Sequence, residues 1–311
     1  MNQSKPILFF GNERLATGVT TNLPILKALV SNGYNIAAII VPGKSSATNP
    51  SRRSRPLEVV QFAKDNNITL IELVDFQSAV SQLANFKTEL AVLAAFGKLV
   101  PETIINLFPK GIINIHPSLL PRHRGPIPIE ATILGGDRET GVSLMRLDKA
   151  MDAGLLYDQV SISLSGHESK QALADSLGAL GAKRLVTVLP DIISGKISPA
   201  PQAGAGVSYD QRLQPSDSQL DFLKPAAQLE REIRAFLGWP RSRTQINKLP
   251  VVITSAHVIK SPNPAYPPGH FYTNGRSLAV ATTKDALIID RLIPAGSKEM
   301  SGSDFLAGHS I

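Results

Sequence analysis

Short apolar runs alternate with amphipathic segments through the first part of the chain. Residues 7–10 are Ile-Leu-Phe-Phe, a run of strand length closed by Gly11-Asn12-Glu13-Arg14. Leu23, Leu26, Leu29 and Val30 then mark one face of a helix that stops at Asn32-Gly33. Residues 36–41 predict a second strand, and 56–66 a helix with Pro56 in its first turn, where proline is tolerated. Strands are predicted over 68–71, 90–94 and 112–115, with a helix over 76–84 between the first two. A strand over 141–147 and an extended stretch over 155–164 precede a long helix over 168–193. This alternation predicts an α/β domain with a Rossmann-like, mainly parallel sheet covered on both faces.

The pattern changes at 194–215, which is rich in Gly, Pro, Ala, Ser and Gln and has little apolar periodicity, the composition of a linker. Beyond it lie an amphipathic helix over 225–236 and short β-rich runs at 244–246, 251–253, 278–280 and 286–289, separated by Pro and Gly turns. These predict a small OB-like β-barrel. The expected division is a catalytic domain over 1–193, a linker over 194–215 and a C-terminal β-barrel domain over 216–311. A length of 311 residues suits two domains, and 43% hydrophobic residues can fill both cores.

Composition narrows the chemistry. With no cysteine, thiolate nucleophiles, disulfides and Cys-ligated metal centres are excluded. The N-terminal run is too short for a signal peptide and nothing approaches the roughly 18 apolar residues of a membrane span, so a soluble cytoplasmic protein is expected. No G-x-G-x-x-G comes after the first strand and no G-x-x-x-x-G-K-[ST] occurs, so neither NAD nor ATP is expected. The net charge of +7 favours a polyanionic partner. Lys44, Arg52, Arg53 and Arg55 concentrate that charge in one segment without an acidic residue.

The chemistry concentrates between residues 111 and 152. Asn114 and His116 alternate on one side of a strand and sit where it ends, the place where α/β sheets form sites. Pro117, Pro121, Pro126 and Pro128 stiffen the segment after this strand, so groups held there need little reorganisation. Asp152, in Met151-Asp152-Ala153-Gly154, is placed to face the imidazole and fix its tautomer; Asp148 fits the spacing equally, and local arithmetic does not choose between them. Asn, His and Asp without an adjacent nucleophile suit attack of an amine on an acyl carbon. Asn114 would donate to the oxyanion, and His116 would supply a second donor or accept a proton. Asp152 would assist the departing ammonium proton. Ser118, in Ser-Leu-Leu-Pro, lacks the G-x-S-x-G elbow of a serine hydrolase.

The blocks Asn114-x-His116-x-Ser118-Leu119-Leu120-Pro121-x-x-Arg124-Gly125, Glu139-Thr140-Gly141-Val142 and Asp152-Ala153-Gly154 are similar in order and spacing to the signature of the 10-formyltetrahydrofolate-dependent formyltransferases. The resemblance implies that Asn114, His116 and Asp152 form the catalytic trio, with 10-formyltetrahydrofolate as formyl donor and no metal. It places Ser118, Leu119, Leu120 and Pro121 against the folate. Ala94, Ala95, Phe96 and Gly97 resemble the pterin-side loop, where backbone groups hold the ring.

Two further stretches resemble the branch of the family that acts on methionyl-tRNA. They are Ile233-Arg234-Ala235-Phe236-x-x-Trp239-Pro240 and a tail holding Pro294-Ala295-Gly296-Ser297-Lys298, Asp304-Phe305 and Gly308-His309. The resemblance therefore spans nearly the whole chain. It implies a monomer that formylates the α-amino group of methionyl-initiator tRNA in translation initiation, with Lys44, Arg52, Arg53 and Arg55 at the acceptor stem and Arg212, after Tyr209, in place of the usual lysine. Leu155 stands where the family often has Asp. The alternative acceptor is an amino-sugar nucleotide, and a non-catalytic tRNA-binding role is opposed by the retained trio.

Overall fold

The computed structural model describes residues 5–13, 17–43, 58–260, 266–309 and 311, so Lys44, Arg52, Arg53, Arg55 and Pro56 lie outside the described residues. An uninterrupted apolar run must be covered on both faces. β1 (Ile7–Gly11) accordingly is buried along its length as an inner strand, third of seven, in the sheet. In chain order, α1 (Pro24–Ser31), β2 (Ile36–Pro42), α2 (Glu58–Asp65), β3 (Thr69–Leu73), α3 (Phe76–Ala84), β4 (Leu90–Ala94), α4 (Glu102–Ile105) and β5 (Ile112–His116) come next. α5 (Pro128–Gly135), β6 (Glu139–Arg146), β7 (Leu156–Ser163) and α6 (Lys170–Ser194) complete the half.

The strand order is β3-β2-β1-β4-β5-β6-β7. The first five strands pair in parallel, and β6 and β7 run antiparallel at one edge. The chain winds outward from β1 in one direction and from β4 in the other, so the carboxyl ends of β1 and β4 form the crevice expected of a doubly wound sheet. On one face Leu8, Phe10, Ile40, Leu93, Phe96 and Phe108 build the core, with Phe10 edge-on to Phe96 at 5.5 Å between ring centroids. α6 packs closely against β5, because Gly181 lacks a side chain: a Cβ there would stand 2.9 Å from Ile115 Cγ2. That contact fixes the strand carrying Asn114 and His116.

In the other part of the chain, a 3-10 turn (Pro215–Ser218) and α7 (Ala226–Ala235) precede β8 (Ser242–Ile246), β9 (Leu249–Ile259), β10 (Phe271–Asn274), β11 (Ser277–Ala281), β12 (Ala286–Pro294), β13 (Met300–Ser301) and α8 (Gly302–Gly308). The strands pair antiparallel in the order β10-β11-β12-β9-β8, with β13 on β12. Leu229 and Ile233 of α7, Ile253, Leu278, Val280, Leu287 and Phe305 form its core. Among the described residues the strand path is open, with no pairing of β8 to β10. No helix among the described residues is long and apolar enough to cross a membrane.

By compactness the chain divides into Met1–Pro128, Arg138–Ser165 and Gln171–Gln211 on one hand, and Ile129–Asp137, Gly166–Lys170 and Arg212–Ile311 on the other. Hydrogen bonds tie residues 194–211 into the first of these: Ala200 and Leu156 exchange backbone bonds of 2.7 and 2.8 Å, and Arg124 forms a parallel bridge with Tyr209. A segment with a linker's composition is thereby held to the sheet edge and to the loop after β5.

Candidate active site

Strand alternation puts Asn114 and His116 on the same side of β5. Parallel pairing with Leu93 of β4 and antiparallel pairing with Met145 of β6 fix Asn114, and pairing with Ser143 fixes His116 at the strand's last position. Both side chains are more than nine-tenths buried. Buried polar groups need partners, and these come from the loops after β5 and β6.

The loop after β6 supplies Asp152, whose backbone is left-handed at φ 48°. Asp152 Oδ1 stands 3.5 Å from Asn114 Nδ2 and 3.7 Å from His116 Nδ1, while Oδ2 accepts a 2.8 Å hydrogen bond from the Gly125 amide. His116 Nε2 lies 2.8 Å from the carbonyl oxygen of His123. A carbonyl only accepts, so Nε2 carries the hydrogen and Nδ1 is the nitrogen turned toward Asp152. Asp148, left open by the spacing, is exposed and accepts from the Lys149 amide in its own turn. Of the two carboxylates, Asp152 is the one that meets Asn114 and His116. Gly154 lets this loop close down, since a Cβ there would lie 1.9 Å from the Arg146 carbonyl oxygen.

The loop after β5 is held from within. Ser118 Oγ donates to the Arg122 carbonyl at 2.7 Å, and Ser143 Oγ donates to the Ser118 carbonyl at 2.6 Å while accepting from the Leu120 amide. Gln159 Nε2 reaches the Leu120 carbonyl at 2.7 Å. Of the loop residues expected at the folate, Ser118, Leu120 and Pro121 are buried and Leu119 is partly open, and the polar groups of Ser118 and Leu120 bond within the surrounding loops. A stiff loop satisfies its own backbone in this way.

At the crevice, Gly11 brings β1 against β4, with a hypothetical Cβ 2.8 Å from the Ala94 carbonyl oxygen. Ala95 and Gly97 then turn the chain with φ 54° and 74°, and Phe96 drives its ring into the core instead of the crevice. A Cβ on Gly97 would meet nothing within 4 Å, and Gly97 is exposed while Ala94 and Ala95 are half-buried. Arg212 is exposed, with its carbonyl accepting from Gln214 Nε2. Among the described residues no group of three His, Asp or Glu side chains could hold a metal ion.

Gln202 and Asp210 join the site without any sign in the sequence, through Arg124 and His123. Arg124 is about nine-tenths buried, and its guanidinium donates to Gln202 Oε1 from Nη2 (2.7 Å) and Nε (3.2 Å) and to Tyr209 Oη from Nη1 (2.7 Å). Gln202 Nε2 donates in turn to the carbonyls of Asp152 and Gly154. Asp210 Oδ2 lies 2.9 Å from His123 Nδ1. No local pattern marks Gln202 or Asp210, because their partners lie dozens of positions away in the sequence.

Comparison with known proteins places these features in context. Residues 15–189 match the model of the formyl transferase family, and residues 212–310 that of the formyl transferase C-terminal domain. The methionyl-tRNA formyltransferase of Methylococcus capsulatus is 33% identical over 307 residues, covering 98% of this chain and 97% of that protein. Among solved structures, an N-formyltransferase of Helicobacter canadensis in complex with folinic acid and dTDP-3-aminofucose superposes with a TM-score of 0.66 at 19% identity, covering 92% of this chain and 98% of that one. WlaRD, a sugar 3N-formyltransferase with dTDP and 5-N-formyl-THF, gives a TM-score of 0.65 at 20% identity over 93% and 97% of the two chains.

Proposed function

The chain belongs to the formyl transferase family, and from that premise we propose that it transfers the formyl group of 10-formyltetrahydrofolate to the α-amino group of methionyl-initiator tRNA in the cytoplasm. The observation that carries the chemistry is the meeting of Asn114 Nδ2 and His116 Nδ1 at Asp152 Oδ1, at 3.5 and 3.7 Å. Both separations exceed an ordinary hydrogen bond, so both nitrogens remain available to a substrate. Folate supplies an activated formyl carbon, and the residues supply charge and proton management.

In this reading Asn114 donates its amide hydrogen to the formyl oxygen as that oxygen gains charge during attack by the amine. His116, with Nε2–H held by the His123 carbonyl, turns its bare Nδ1 toward the reacting carbon, where it accepts the proton shed by the attacking nitrogen. Asp152 balances the charge this gives the ring and relays the proton to the departing folate nitrogen. The new bond is amine nitrogen to formyl carbon, the broken one is folate nitrogen to formyl carbon, and no net proton is consumed. Gly125 N–H steadies the second carboxylate oxygen throughout.

The acceptor is argued from the near full-length likeness to the Methylococcus capsulatus protein, the matching C-terminal domain and the net charge of +7. Amino-sugar formylation is the competing reading, suggested by the function of the two sugar-acting structural neighbours. The deciding assay supplies labelled 10-formyltetrahydrofolate together with charged initiator tRNA, charged elongator tRNA or a dTDP-amino sugar. Label on initiator tRNA alone supports the proposal; label on the sugar alone overturns the acceptor assignment.

A further inference from the structure

Both groups at the reacting centre are oriented by one turn. His116 Nε2 is held by the carbonyl of His123, and Asp152 Oδ2 by the amide of Gly125. That turn is conformationally costly by itself. His123 lies at φ 57°, a left-handed backbone that a side chain disfavours, and Gly125 at φ 119°. Something outside the turn has to hold it.

The holding segment is residues 208–210, beyond the long helix and in a stretch that composition marks as a linker. The Arg124 amide donates to the Ser208 carbonyl at 3.0 Å, and the Asp210 amide to the Arg124 carbonyl at 2.8 Å. The Ser208 amide donates to the Pro121 carbonyl at 3.2 Å. Ser208 Oγ accepts from the His123 amide at 2.8 Å. His123 Nδ1 donates to Asp210 Oδ2 at 2.9 Å, with both side chains at least 80% buried (13% and 20% exposed). The fit is close, because a Cβ on Gly125 would stand 2.5 Å from the Asp210 carbonyl oxygen.

We propose that His123, Ser208 and Asp210 are positioning residues for formyl transfer: the His123–Asp210 pair, with Ser208, holds the 123–125 turn so that the His123 carbonyl keeps His116 in its Nε2–H form with Nδ1 toward the substrate. The proposal rests on the catalytic reading of His116 given above. Asp210 touches neither His116 nor Asp152 through its side chain; it acts through the His123 ring and the backbone carbonyl of the same residue.

The test combines kinetics with a spectroscopic reading of His116 in the full chain. In Asp210→Ala, kcat is expected to fall about 10- to 100-fold, the effect of a misplaced group, while KM for both substrates stays near wild type. Asp210→Asn keeps an acceptor of the same size and is expected to recover most of that loss. Proton–nitrogen correlation spectra should show His116 protonated at Nε2 in wild type and Asp210→Asn, and a mixture of tautomers in Asp210→Ala. Should Asp210→Ala not fold, Ser208→Ala, which removes one bond to the His123 amide, carries the same expectation in smaller degree. Unchanged kcat in Asp210→Ala, or lost kcat with His116 still wholly Nε2–H, overturns the proposal. Full activity in His116→Ala overturns the catalytic reading instead, and the tautomer measurement keeps the two failures apart.

Discussion

The side-chain amide of Gln202 donates to the backbone carbonyl of Asp152 at 2.8 Å, and its oxygen accepts from the buried guanidinium of Arg124 at 2.7 Å. One neutral side chain thus links the loop that carries the carboxylate to the loop that carries the turn above His116. Gln202→Leu removes both links at nearly constant volume and leaves a buried charge short of an acceptor. A loss of about 1–3 kcal/mol is expected for such an orphaned group, read as a lower urea midpoint with an unchanged m-value. A midpoint equal to wild type would mean that Arg124 finds another acceptor and that Gln202 does not hold it.

Lys170 and Glu130 form a second buried relationship, with Nζ 3.5 Å from Oε1 and side chains 4% and 3% exposed. Removing one partner of such a pair strands the other charge, so Lys170→Met should destabilise by about 3–5 kcal/mol, and Lys170→Met with Glu130→Leu should recover much of it. The pH dependence has a defined sign. Burial pushes the Lys170 ammonium below its ordinary 10.5, against the opposing pull of Glu130. The unfolded chain therefore binds this proton more tightly than the folded one. The stability linked to this group is fully present above 10.5 and is lost as the pH falls through the lowered folded value. Stability measured by urea at a series of alkaline pH values should rise for wild type relative to Lys170→Met as pH approaches 10.5. A difference that stays flat or narrows contradicts the burial argument.

The range of each interaction decides how legible it is in the sequence. β1, β2, β4 and β5 were legible because an unbroken apolar run at a sheet's centre needs no partner to declare itself. Asn114 and His116 were legible for the same reason, since strand period alone puts them on one side. Asp152 against Asp148 was not, because the choice depends on a left-handed residue and a glycine close to the Arg146 carbonyl, which fold the loop back over β5. α5 was missed because Ile129, Glu130, Ala131, Thr132 and Ile133 alternate apolar and polar positions, a strand-like period, and only burial all round lets a helix carry Glu130 and Thr132 inside. Gln202, Ser208 and Asp210 were hidden in a segment of linker composition, and only tertiary hydrogen bonds reveal what they hold.

The two neighbouring carboxylates offer a sharp internal control. Asp152→Asn keeps the size and the Gly125 contact but removes the charge and the proton acceptor, so kcat should fall about 100- to 10,000-fold, the range of general acid–base contributions. Asp148 is exposed and occupied with the Lys149 amide, so Asp148→Asn should leave labelled formyl transfer near wild type. Equal losses in the two variants would show that the carboxylates act through the fold of the loop and not through chemistry at Asp152.

Gly154 tests whether that loop must close. A Cβ at 1.9 Å from the Arg146 carbonyl oxygen cannot be accommodated by a side-chain movement, because the obstacle is backbone at the end of β6. Gly154→Ala should cost about 3 kcal/mol, the upper range for overpacking, and should lower kcat through the displaced Asp152. Thermal unfolding and formyl transfer measured together check it; a variant of normal stability and activity would mean that the close approach of the loop to β6 is not required.

Salt separates the two acceptors. If the acceptor is a tRNA, Arg52, Arg53, Arg55 and the exposed Arg212 meet phosphates, and each contact releases counterions. The logarithm of KM for tRNA should then rise with the logarithm of salt concentration, with a slope reduced by about 0.7 to 0.9 for each contacting arginine replaced by Gln. Turnover at saturating tRNA should hardly change, because phosphate contacts strengthen binding without touching the reacting carbon. With an amino-sugar nucleotide as acceptor the expectation inverts: a small ligand of two phosphates offers too few anionic groups for four arginines, and the four-fold Gln variant should show an unchanged KM and salt slope. Measuring both acceptors with wild type and this variant over one salt series therefore decides whether the positive charge serves recognition or only solubility.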